Sequence, residues 1–100
     1  RQVLIRGPET VLIDFDTLCF GDPAIDVGNF LAHLRVASLR TQVPSRDLED
    51  QFLDAYGRAR GETFDGPIEP YVKAPLLRLA CLNVFSTRWR RVAEQLLDVI

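Results

Sequence analysis

The chain of 100 residues contains no methionine, one lysine, one histidine and one tryptophan. A lone histidine excludes a multi-histidine metal centre and leaves no Ser/His pair for nucleophilic catalysis. No apolar run approaches the roughly 20 residues of a spanning helix, so no membrane partner is expected. Positive charge is not in surplus. Twelve Lys+Arg face 14 Asp+Glu for a net charge of -2, which argues against a nucleic-acid partner. Cys19 and Cys81 stand in neither metal nor redox spacing. They read as buried small apolar residues in a reducing, cytoplasmic setting. With 47% hydrophobic and 26% charged residues, the length fits one small soluble domain. There is no initiating methionine and no signal peptide, and a strand-like run is under way at Arg1. The chain ends inside an apolar stripe at Val99-Ile100. The expectation is a piece of a longer protein, a single partial domain over 1–100, whose site is completed elsewhere.

What is present reads as α+β, mostly α. Gln2-Val3-Leu4-Ile5 and Thr10-Val11-Leu12-Ile13-Asp14-Phe15 are β-rich runs around the turn signal Gly7-Pro8-Glu9, predicting a hairpin over 2–15. A helical subdomain over 22–100 follows. Asp22 is a good N-cap and Pro23 suits the first helical position. Phe30, Leu31, Leu34 and Ala37 then repeat at helical spacing, predicting a helix over 23–39. Ser45 can cap a second helix striped by Leu48, Phe52, Ala55, Tyr56 and Ala59, with Gly61 as its stop. Residues 61–70 read as a loop. The apolar segment Tyr71–Phe85 reads as a helix that Pro75 starts or kinks. Ser86-Thr87 offers a cap for a last helix, striped by Trp89, Val92, Ala93, Leu96, Leu97 and Ile100.

The chemistry concentrates in Asp14, Asp16, Asp22 and Asp26. If the second strand runs through them, Asp14 and Asp16 point to one side. Like charges so placed repel unless a cation lies between them, and a divalent ion held by carboxylate oxygens answers that. The plainer reading is two acids at a solvated strand end and a third that only caps a helix. An EF-hand fails, because Leu18, Cys19 and Ile25 occupy positions that need an oxygen ligand, Gly and Glu. Val-Leu-Ile-Asp-Phe-Asp-Thr-Leu resembles the first motif of haloacid-dehalogenase-type phosphatases. There Thr17 falls one place early, and Lys73, the sole lysine, precedes no later acidic pair in a parallel-strand context.

A longer stretch fits better. Gln-Val-Leu-Ile, a turn, Val-Leu-Ile-Asp-Phe-Asp and then Gly-Asp-Pro-Ala-Ile-Asp-Val-Gly-Asn-Phe-Leu-Ala-His-Leu, about residues 2–34, resembles the aminoglycoside phosphotransferase/choline kinase family. Leu77-Arg78-Leu79-Ala80 and Trp89 look like its C-terminal helices. The resemblance implies the C-lobe of a protein-kinase-like fold, from a phosphotransferase that uses ATP and Mg2+ on a hydroxyl of a small molecule. Asp14 matches the acid that holds the magnesium bridging the nucleotide phosphates. Asp16 matches the second acid of the motif, a metal ligand in some members. Gln2, twelve residues before Asp14, stands where the family has a metal-binding Asn. Asp22 caps the next helix, and Asp26 matches a buried acid that hydrogen-bonds the catalytic-loop backbone. The catalytic H-x-D and the N-terminal lobe are expected before Arg1, so this piece by itself should be inactive and should self-associate through uncovered apolar surface. The alternatives are the phosphatase piece, or a non-catalytic helical interaction module whose acids cap and solvate.

Other residues read as structural. His33, two turns after Asp26, is a core-edge histidine, and Cys19 is inert. Arg88, Arg90 and Arg91 crowd the start of the last helix, where the dipole disfavours cations. Pairing of Arg90 with Glu94 is the plain explanation. An anion or acidic-substrate contact is the sharper one. Tyr71, Phe85 and Trp89 read as core.

Overall fold

In the computed structural model, which describes residues 2–63 and 66–100, two strands precede four helices. The strands are β1 (Val3–Arg6) and β2 (Glu9–Leu12). The helices are α1 (Ala24–Thr41), α2 (Arg46–Arg60), α3 (Glu69–Val84) and α4 (Arg90–Val99). The α+β reading with a hairpin and four helices is therefore what is found. The strands pair antiparallel, from Val3 opposite Leu12 to Arg6 opposite Glu9. Gly7 takes a positive φ of 59° in the turn, a conformation that glycine adopts without steric cost.

The core is helical. Val27, Leu31, Ala32 and Val36 of α1 meet Val72, Leu76, Leu79 and Ala80 of α3, with Val92 and Leu96 of α4 closing the cluster. These positions recur every three or four residues, so each helix turns one stripe inward. Gly28 allows the closest approach. A Cβ there would collide with the carbonyl oxygen of Tyr71. That carbonyl lacks its usual helical donor, because the residue four later is Pro75, which has no N–H. Pro75 thus lies inside an unbroken α3, and the oxygen it leaves unbonded faces the glycine of α1.

Contacts along α1 and α3 advance together. Asp22 meets Tyr71, Asn29 meets Arg78 and Arg40 meets Asn83. The two helices therefore run in the same general sense, and α2 is the return path between them. It buries no residue. Phe52, Leu53 and Tyr56 only lean on the core, with the Phe52 ring 4.3 Å from that of Phe30, while Leu48, Ala55 and Ala59 of the expected stripe face solvent. The polar anchor of α2 is Arg35, whose guanidinium holds Glu49 of α2 at 3.0 Å and Glu69 of α3 at 2.9 Å.

Several expectations need correcting. Cys19 and Cys81 are both exposed and free. Ser45 is the N-cap residue of α2, but its hydroxyl donates to Glu49 at 2.7 Å and makes no side-chain capping bond. Ser86-Thr87 supplies no side-chain cap to α4, whose N-cap is Trp89. Phe85 is exposed, as are Leu97 and Ile100. The loop over 61–70 gives way to α3 at Glu69, and its residues 64–65 lie outside the described ones. Gly61 does stop α2, in the left-handed conformation at φ 74°.

Candidate functional site

β2 ends at Leu12, two residues short of the first acid. One further ladder bond, from Ile13 N–H to the Gln2 carbonyl at 2.9 Å, sets Gln2 beside the strand exit. Asp14 then adopts φ 68°. Aspartate tolerates this left-handed region better than most residues, and such conformations cluster where function fixes them. A turn closed by Leu18 N–H on the Phe15 carbonyl at 2.9 Å follows. Strand alternation therefore does not apply to Asp14 and Asp16. The reason is backbone geometry: the chain leaves the sheet before reaching them.

The same break makes a depression of about 390 Å³ between the hairpin end and the start of α1. Gln2, Asp14 and Asp26 all line it, together with Thr17, Cys19 and the apolar Leu12, Ile13 and Phe15. Asp16 lies outside that lining, in the turn. Three of the residues expected at the site thus share one concavity, although they are far apart in sequence.

Asp26 is exposed and takes no hydrogen bond among the described residues. Asp26 is thus not the buried, backbone-bonded acid that the resemblance implies, and it lines the depression. Asp22 does more than the sequence suggested. Its Oδ1 accepts from Ala24 N–H at 2.9 Å, the bond expected of a cap two residues earlier, while Pro23 already has helical angles. Its Oδ2 accepts from the Tyr71 hydroxyl at 2.8 Å, tying the start of α1 to α3. The backbone bond, then the tyrosine, hold its carboxyl below the usual carboxylate range, and the hydrogen bond to Asp22, then the Asp22 charge, push the Tyr71 phenol up. Tyr71 was legible only as an aromatic core residue; its hydroxyl partner had no sequence signal. His33 is exposed and makes no hydrogen bond among the described residues, so it is not a hydrogen-bonded core-edge group. Partial burial, then Arg78 and Arg40, hold its pKa down.

Magnesium is satisfied by one or two protein carboxylates, with phosphate and water oxygens completing its octahedron. Asp14, Asp26 and Gln2, all residues that carry oxygen donors, line one depression, so the residue types present suit such an ion. Among the described residues no group of three or more His, Cys, Asp or Glu is gathered to hold a metal unaided. No described helix is long and apolar enough to cross a membrane.

The sequence model of the phosphotransferase enzyme family matches residues 2–69, from the hairpin to the first residue of α3. The chain belongs to this family, that of the aminoglycoside phosphotransferases. Leu77–Ala80 and Trp89 lie beyond the matched span. No curated protein and no solved structure gives a significant match.

Proposed function

We propose that this chain is the metal-binding side of a kinase-like C-lobe, from a phosphotransferase that transfers a phosphoryl group from ATP to a hydroxyl of a small molecule. The carrying observation is the convergence of Gln2, Asp14 and Asp26 on one depression at the hairpin end. Magnesium bound there would neutralise charge on the transferring phosphates. Asp14 is the principal ligand, and the Gln2 amide oxygen stands in for the family's asparagine. Asp26 acts by position, and Asp16 contributes from the turn. The family match supports the phosphotransferase class, and ATP, Mg2+ and the hydroxyl acceptor are inferred from it. Such a transfer also needs a base for the hydroxyl proton and groups that grip the nucleotide, and none of these residues takes those roles. A cytoplasmic setting, where ATP and reduced thiols coexist, suits the reading.

The test is Asp14→Asn in the complete enzyme. Phosphoryl transfer should fall by orders of magnitude with the melting temperature unchanged, and Asp16→Asn should cost less. Wild-type turnover in Asp14→Asn would overturn the assignment. The 100-residue chain alone should bind Mg-ATP weakly or not at all in a calorimetric titration. Micromolar binding at one site would show that these residues make a complete nucleotide pocket.

A further inference from the structure

The arginines near the start of α4 lack the partner that the sequence offered. Glu94 is not within ion-pair distance of Arg90, and among the described residues no carboxylate pairs with Arg40, Arg88, Arg90 or Arg91. Two of these cations are nevertheless held in place. Arg40, in the last turn of α1, donates from Nη2 to the Asn83 side-chain oxygen at 2.6 Å. Asn83 is itself buried and fixed, because its Nδ2 donates to the Leu79 carbonyl at 2.7 Å. The Arg40 guanidinium also lies 4.8 Å from the centroid of the Trp89 ring, and that of Arg88 lies 4.6 Å from the same centroid.

Stacking on an indole and bonding to one amide use a face and one N–H of a guanidinium, and leave most of its five donors unspent. Both guanidinium carbons lie against one ring, so they are within about 9.4 Å of each other, and Arg90 and Arg91 follow in the sequence. Two guanidinium forks at that reach, with unused donors, match an oxyanion bearing two negative charges, because charge-assisted bonds to phosphate are strong and bidentate. Arg40 lies fourteen residues along α1 from Asp26, roughly 21 Å at the helical rise, so this patch is separate from the hairpin-end depression. We infer that Arg40 and Arg88, braced by Asn83 and Trp89, form a binding site for a phosphate-class oxyanion, distinct from the phosphotransfer site.

Trp89 is the chain's only tryptophan, so it reports on the site directly. Inorganic phosphate is titrated against the full chain at constant ionic strength while Trp89 emission is followed, with chloride as the matched control. The expected result is a saturable change with phosphate and none with chloride. The midpoint should rise at least tenfold in Arg88→Ala, an exposed turn position whose loss leaves the helical circular dichroism intact. Arg40→Lys keeps the charge but loses the fork, and should also weaken the midpoint severalfold. A change that does not saturate, an equal response to chloride, or an unaltered midpoint in both variants would overturn the inference.

Discussion

The hairpin and the α1/α3/α4 cluster are built from equally apolar residues and treat them in opposite ways. Val3, Leu4, Ile5, Val11 and Leu12 are about half exposed or more, whereas Val27, Leu31, Val72 and Leu96 are at most 1% exposed. The strands pair with each other and no helix packs over them. A two-stranded hairpin without a third layer is marginal in water. The helices are therefore the stabilising part, and the hairpin is a platform that carries Gln2 and Asp14 with little support of its own.

Matched truncations sharpen this contrast most. Leu31→Ala should lower unfolding free energy by about 3 kcal/mol through lost burial and a cavity. Leu4→Ala should change it by less than about 0.5 kcal/mol. Chemical denaturation of the two variants measures both, and an equal cost would mean that the hairpin is covered in solution. Gly28→Ala comes next, at about 2 kcal/mol, because a methyl must displace the Tyr71 backbone.

The tie between the start of α1 and α3 is tested by pH. Asp22 has a lowered pKa, so its contribution is present above the ordinary carboxylate range and is lost as pH falls through the folded value. Tyr71 has a raised pKa, so its contribution is present below the ordinary phenol range and is lost as pH rises through the folded value. In a melting-temperature profile, Tyr71→Phe should remove the alkaline loss and only weaken the acid one, because the Ala24 N–H still holds Asp22. An unchanged alkaline limb would show that the bond carries no stability. The smallest effect belongs to Asp26→Ala. Its exposed, unbonded carboxylate predicts a change within about 0.5 kcal/mol in this chain. A large loss would reveal a partner for it.

Periodicity made the helices legible. The stop at Gly61 follows from a local rule that the structure obeys, and α3 was legible from its apolar length. Of the expected α1 stripe of Phe30, Leu31, Leu34 and Ala37, however, only Leu31 is buried, because Val27, Leu31, Ala32 and Val36 form the face that meets α3. Those rules fail where tertiary partners decide. Ser45 had a choice of acceptors and turned to Glu49, which Arg35 had already drawn inward. Arg90 could not be read as unpaired from an i+4 spacing alone. At the site, the spacing of the acids carried the family, while the left-handed turn at Asp14 belongs to the chain's exit from the sheet and leaves no mark on hydrophobic alternation.

Because α1 and α3 advance in the same direction, the segment between them is a crossover, and a crossover is constrained by reach. The sixteen residues of α3 span about 24 Å at the helical rise, and the chain must travel back a comparable distance before α3 can begin. Shortening α2 by two turns would still leave enough chain to span that distance in extended form, at about 3.3 Å per residue. It would, however, remove contacts that α2 makes with the core, whereas lengthening its loops costs only the slowly growing entropy of a longer closed segment. Insertions in the loops that flank α2 should therefore cost little, and deletions within α2 should cost its packing against Phe30 and the core rather than the connection itself. New surface can be added in those loops without disturbing the helices that hold the site.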